Sequence, residues 1–171
     1  MRNATLVLSL VLFGCGAGRT TPLADSVRAG DVSATESLLT RGADPNEATG
    51  SNGWPPLLHA IHKHQLATAE VLLQHGADVN RGNGAQTPLT MAAGYGDTKM
   101  IALLLQHGAD PARRDGNGAT PIDAAISGTT DIDEFTYFRC QDDAVALLAR
   151  AAPAVRPAAG VMMKLKRCKT V

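Results

Sequence analysis

TPLTMAAGYGDTKMIALLLQHGAD, residues 87–110, is the stretch that decides the fold. Thr87 supplies a hydroxyl at a helix cap. Pro88 supplies a ring at the first helical position, where a missing N–H costs nothing. Leu89, Met91, Ala92 and Ala93 follow, all small or apolar. The run from Gly94 to Asp97 is expected to break the helix. Met100, Ile101, Leu103, Leu104 and Leu105 then predict a second helix with one strongly apolar face. Gly108 stands where a glycine is expected just past a helix end. One such helix–turn–helix unit is too small to bury its own apolar face, so it demands neighbours.

The neighbours are present. Gly42-Ala43-Asp44, Gly76-Ala77-Asp78 and Gly108-Ala109-Asp110 end three units. Pro22, Pro56 and Pro88 each precede the closing glycine by the same interval, and Thr120-Pro121-Ile122 opens a further unit. The unit length, roughly 32 to 34 residues, is that of a known helical repeat. With TPLxxAAxxGxxxxxxLLLxxGAD in the third unit, and PPLLHA with VLLQHGADVN in the second, the pattern resembles the ankyrin repeat. The resemblance covers roughly residues 20–150. It implies an all-α solenoid of about four helix–turn–helix repeats, near 21–46, 52–80, 83–112 and 116–152, linked by β-turn fingers.

The first residues read differently. Arg2 gives a positive start, and Leu6 to Phe13 form an apolar run that ends at Gly14-Cys15. The run is too short to span a bilayer as a mature helix. Leu12-Phe13-Gly14-Cys15 resembles a bacterial lipobox, with Phe13 departing from the usual small or β-branched residue. On that resemblance residues 1–14 are a leader, Cys15 is the lipidated N-terminus, and residues 15–20 are a short tether. Acyl chains would supply membrane affinity at about 0.8 kcal/mol per buried CH₂. Gly16, in place of Asp, implies the outer membrane of a bacterial envelope, facing the periplasm. An ordinary cleaved signal, with the cut near Ala17, or an untargeted apolar start are the alternatives.

Individual repeats depart from the pattern. Repeat one lacks the Ala-Ala pair and scatters Asp25, Arg28, Asp31 and Glu36 over its surface, as a terminal cap does. It keeps Gly30 between its helices and Leu38-Leu39 in the second helix. Repeat two has Pro55 where Thr is usual, losing a hydroxyl cap worth about 1 kcal/mol. In repeat four Leu147 follows Pro121 at a much longer interval than separates Leu104 from Pro88. About ten extra residues are therefore expected near 129–138. They and their flank carry Asp131, Asp133, Glu134, Phe135, Tyr137, Phe138, Asp142 and Asp143. Residues 153–171 read as a basic, flexible C-terminal tail.

Net charge is zero, but unevenly spread. Residues 16–150 hold all 16 acidic residues against 10 Lys and Arg. The tail adds Arg156, Lys164, Lys166, Arg167 and Lys169 with no acid. Five cations without interleaved aromatics do not suggest nucleic-acid binding. No G-x-S-x-G elbow, HExxH, P-loop or paired CxxC is present. Neither a cofactor nor a small-molecule substrate is expected.

His59, His62 and His64 invite a metal reading. The resemblance instead gives His59 the histidine of the TPLH motif, whose ring bridges neighbouring backbone loops, and puts His62 and His64 at a helix end. His75 and His107 precede the closing glycines, where a cation suits the helix dipole. In an oxidising compartment Cys140 and Cys168 could form a disulfide or stay as two thiols.

Trp54, the sole tryptophan, sits on the first complete finger. Trp54, His62, Lys63, Gln86, Tyr95, Arg113 and Arg114 form a candidate partner-binding surface on the fingers and inner helices, where the resemblance places binding. The expected function is a membrane-tethered protein-binding module serving as a periplasmic accessory or stress-protection factor. An immunity protein against a secreted toxin, a cytoplasmic scaffold and a histidine-dependent metal enzyme are the alternatives.

Overall fold

The computed structural model describes residues 20–128 and 141–158. Eight helices lie among them: α1 (Pro22–Ala29), α2 (Val32–Thr40), α3 (Pro56–His62), α4 (Leu66–Gln74), α5 (Pro88–Tyr95), α6 (Thr98–Gln106), α7 (Pro121–Ser127) and α8 (Asp142–Ala151). They pair as α1–α2, α3–α4, α5–α6 and α7–α8, one pair per layer. The odd-numbered helices pack side by side in one row, and the even-numbered helices in a second. The result is an all-α solenoid. No helix among the described residues is long and apolar enough to cross a membrane.

Local chemistry sets where each helix begins. Pro22, Pro56, Pro88 and Pro121 are the first residues of the odd-numbered helices. The Thr21, Thr87 and Thr120 hydroxyls accept from the N–H of Ala24, Thr90 and Asp123. Thr90 Oγ1 and Asp123 Oδ2 answer by accepting from the N–H of Thr87 and Thr120, at 2.8 and 3.0 Å. These reciprocal bonds satisfy two donors that a helix start leaves open. Pro55 cannot do this, and α3 starts without a side-chain cap.

Stacking supplies the core. Every residue from Pro88 to Gly94 is buried, because α5 has α3 on one side and α7 on the other. Ala92 and Ala93 leave room for that close approach. Met100, Ile101 and Leu104 of α6 are wholly buried and join the same cluster as Leu57, Leu58, Ile61, Leu72 and Leu148. Truncating one of these leucines to alanine would cost about 2–5 kcal/mol.

Three expectations need correction. Gly94 does not break α5; it is helical and buried, and the break comes at Gly96, in the left-handed region at φ 68°. In layer four the buried leucine of α8 is Leu148, not Leu147, which is only partly buried. The insertion is therefore one residue longer than the spacing to Leu147 implied, and it falls between Gly128 and Gln141. Finally, residues 153–158 are not a loose arm. Val155 packs on the core, and the Ala158 N–H donates to Asp123 Oδ1 at 2.7 Å.

Fingers join the layers. The Thr49 N–H donates to Trp54 O (3.1 Å), Asn83 to Gln86 O (3.3 Å) and Asp115 to Ala119 O (2.9 Å). Adjacent fingers are tied where the Gly116 N–H meets Ala85 O at 3.2 Å. A Cβ at Gly116 would run into the Gly84 carbonyl. Behind the fingers, Asn46 and Asn80 act as rungs. Each side-chain amide donates to a glycine carbonyl of the next repeat, Gly76 or Gly108, and accepts from the N–H of Asp78 or Asp110.

Candidate functional site

The finger between α2 and α3 delivers Trp54 to the C-terminal end of α3. An isolated antiparallel bridge between Thr49 and Trp54 holds its backbone. Its ring lies 5.3 Å from His59 and meets the edge of His62 at 5.2 Å. His62 Nδ1 is hydrogen-bonded to Tyr95 Oη at 2.7 Å, linking one repeat to the next. Tyr95 also stands 5.0 Å from His64 in an edge arrangement, and His64 Nδ1 lies 3.3 Å from Asp97 Oδ2. A continuous aromatic ladder therefore crosses from layer two to layer three. Trp54 and Tyr95 are both only partly buried.

His59 anchors the ladder from below. It is 9% exposed, and its Nε2 meets no hydrogen-bond partner among the described residues. Its ring packs against Trp54 rather than spanning backbone loops, which corrects the role expected of it. Burial, then the nearby Arg28 guanidinium and His62, push its pKa down to about 4. The ring is neutral at physiological pH.

His64 carries strain. It stands at the same interval from Pro56 as Gly30 from Pro22 and Gly96 from Pro88. Those glycines have φ of 73° and 68°; His64 takes φ 54° without being glycine. For an L-residue this region costs roughly 1–2 kcal/mol.

Beside the ladder, between the fingers and the odd-numbered helices, lies an open groove of about 330 Å³. Trp54, Gln86, Tyr95, Asp115, Asn117 and Asp123 line it. Asp123 is buried. Burial pushes its carboxyl up, but bonds from the Thr120 hydroxyl and from the Ala158 and Thr120 N–H groups, helped by Arg114, hold it below the usual carboxylate value. It is ionised throughout the neutral range.

The structure thus brings Trp54, His62, Tyr95 and Gln86 to one face. Lys63 is exposed at the end of α3 and does not line the groove. Arg113 and Arg114 are exposed on the last finger and do not line it either; Arg114 Nη1 donates to Gly118 O at 2.6 Å. Cys15, Cys140 and Cys168 lie outside the described residues, as do Asp131, Asp133, Glu134, Phe135, Tyr137 and Phe138. Sequence reasoning left His64 at a helix end without a part in the site, and missed Asp97, Asp115 and Asp123. A histidine standing where its sister repeats have glycine was a usable signal for His64. Among the described residues no group of three or more His, Cys, Asp or Glu could hold a metal ion.

Residues 1–83 match the family model for ankyrin repeats in three copies. Residues 72–125 match that for ankyrin repeats in many copies. No curated protein matches the chain.

Proposed function

The chain belongs to the ankyrin-repeat family, and from that premise we propose that it is a binding module without chemistry of its own, docking a partner protein along the groove face. One observation carries this reading: the Trp54–His62–Tyr95 ladder, partly buried beside the groove. Aromatic side chains held rigid by their neighbours supply contact area at little entropic cost, which is why such residues dominate interface energetics. We further propose that Cys15 carries a lipid, holding the module at a bacterial envelope membrane, facing the periplasm. There it would serve as an accessory or stress-protection factor.

The first test is affinity capture from an envelope extract, with each captured protein purified and its binding measured by calorimetry. Trp54→Ala and Tyr95→Ala should each weaken binding at least about 30-fold if they are hot spots. Unchanged affinity in both variants would move the interface off this face. For the anchor, labelled palmitate should enter the wild-type chain and not Cys15→Ser. Equal labelling of the two would remove the lipid from the account.

A further inference from the structure

The groove has an unbalanced charge. Among the described residues it is lined by two carboxylates, Asp115 and Asp123, and by no lysine or arginine. The two acids differ. Asp123 is buried and engaged on both oxygens: Oδ2 takes the N–H and O–H of Thr120, and Oδ1 takes the Ala158 N–H. It contributes field rather than a free acceptor. Asp115 Oδ1 takes the N–H of Asn117 (2.9 Å) and of Ala119 (3.0 Å), while Oδ2 takes no hydrogen bond among the described residues. Arg114, whose charge acts on Asp123, is engaged with Gly118 O. Two aromatic residues, Trp54 and Tyr95, line the same groove.

We propose that this groove seats one arginine side chain projecting from the partner, stacked on the aromatic wall and paired with Asp115. The proposal rests on the groove-face reading above and names what that face recognises. An anion would meet two carboxylates. A purely apolar side chain would strip water from Asp115 and return nothing. A guanidinium answers both walls: its face stacks on an aromatic ring while its in-plane N–H groups donate to a carboxylate. The walls are already fixed. Trp54 is braced by His59 and His62, Tyr95 by His62 and His64, and the Asp115 loop by its own backbone bonds. Little needs to be ordered when the cation enters.

Trp54 is the only tryptophan, so its fluorescence reports the groove directly. The purified full chain is titrated with acetyl-Gly-Arg-Gly-amide and with the citrulline peptide, which keeps the shape but not the charge. The arginine peptide should change Trp54 emission saturably, and the citrulline peptide should bind about tenfold more weakly or worse. Asp115→Asn keeps the loop-holding Oδ1 and should weaken the arginine peptide by a similar factor. Equal binding of the two peptides, an unaffected Asp115→Asn, or no response to either peptide would overturn the assignment. A variant carrying Gln at Lys164, Lys166, Arg167 and Lys169 separates a second occupant. Arginine peptide that binds only to that variant would give the groove to the chain's own end and overturn the partner assignment. Failure here with partner binding still lost in Trp54→Ala would sink the arginine assignment and leave the groove-face reading standing. Peptide binding with partner affinity unchanged in Trp54→Ala would support the cation chemistry and sink that reading.

Discussion

Acid should loosen this protein through one residue, His59. Its ring is buried under Trp54 with Nε2 unpaired among the described residues, and its pKa is held at about 4 against 6.5 for a free histidine. The unfolded chain therefore binds the proton more tightly than the folded one. The stabilising contribution is complete above about pH 7 and is lost as pH falls through 6.5 towards 4. At about 1.36 kcal/mol per pKa unit the loss is about 0.8 kcal/mol at pH 6 and about 2 kcal/mol at pH 5, approaching about 3 kcal/mol below pH 4. Against a total stability of roughly 5–15 kcal/mol, that is a visible fraction. Urea unfolding followed by circular dichroism reads it directly. With a slope near about 2 kcal/mol per molar urea, the midpoint should fall by about 1 M between pH 7.5 and pH 5. His59→Leu and His59→Gln remove the titrating group and should show a smaller fall, while their stability at neutral pH reports any packing loss separately. If wild type and both variants lost stability in parallel from pH 7.5 to pH 5, His59 would not be the sensor and the argument from its burial would be wrong.

Gln65 stands at the start of α4, where Asp31 and Asp97 cap α2 and α6, and it makes no capping bond. Gln65→Asp should stabilise the fold by about 1 kcal/mol, read as a raised urea midpoint; no gain would mean the local backbone is not shaped for a cap. Asp123→Asn should cost about 1–3 kcal/mol by weakening the Thr120 and Ala158 bonds together. It should also free residues 153–158, so the Ala158 amide, which is bonded to Asp123 in wild type, should exchange with deuterium several-fold faster in the variant.

The repeat was legible because its signals are local. A proline at a fixed interval before a closing glycine states both helix starts and the layer period within the span of one repeat. Trp54 and Tyr95 stood out as aromatics at variable positions of that frame. Their mutual arrangement did not, since His62–Tyr95 and His64–Asp97 each join one repeat to the next. Such contacts exist only once two layers stack, and no periodicity encodes them. Leu147 and Leu148 are adjacent, and layer four has no Gly-Ala-Asp to fix the register, so the buried one could be told only from the packing. The return of residues 153–158 to Asp123 rests on one backbone bond and leaves no pattern.

Layer two concentrates the departures from good local chemistry. Pro55 removes a cap from α3, His64 takes a left-handed conformation that glycine would adopt freely, and Gln65 leaves α4 uncapped. Layer three, next to it, has Thr87, Gly96 and Asp97 at the same three places and satisfies all of them. Each departure costs about 1 kcal/mol, so layer two forgoes roughly a few kcal/mol that a regular repeat would keep. These residues adjoin the ladder: Pro55 follows Trp54, and His64 reaches Tyr95 and Asp97. Strain and lost caps persist where the surrounding structure overrides local preference, and such places cluster at sites that do something besides fold. A glycine at position 64 would relax the backbone but leave Tyr95 without one of its two histidine supports. The ladder and the weak layer beneath it therefore form one feature, in which local stability is given up to hold a rigid aromatic surface beside the groove.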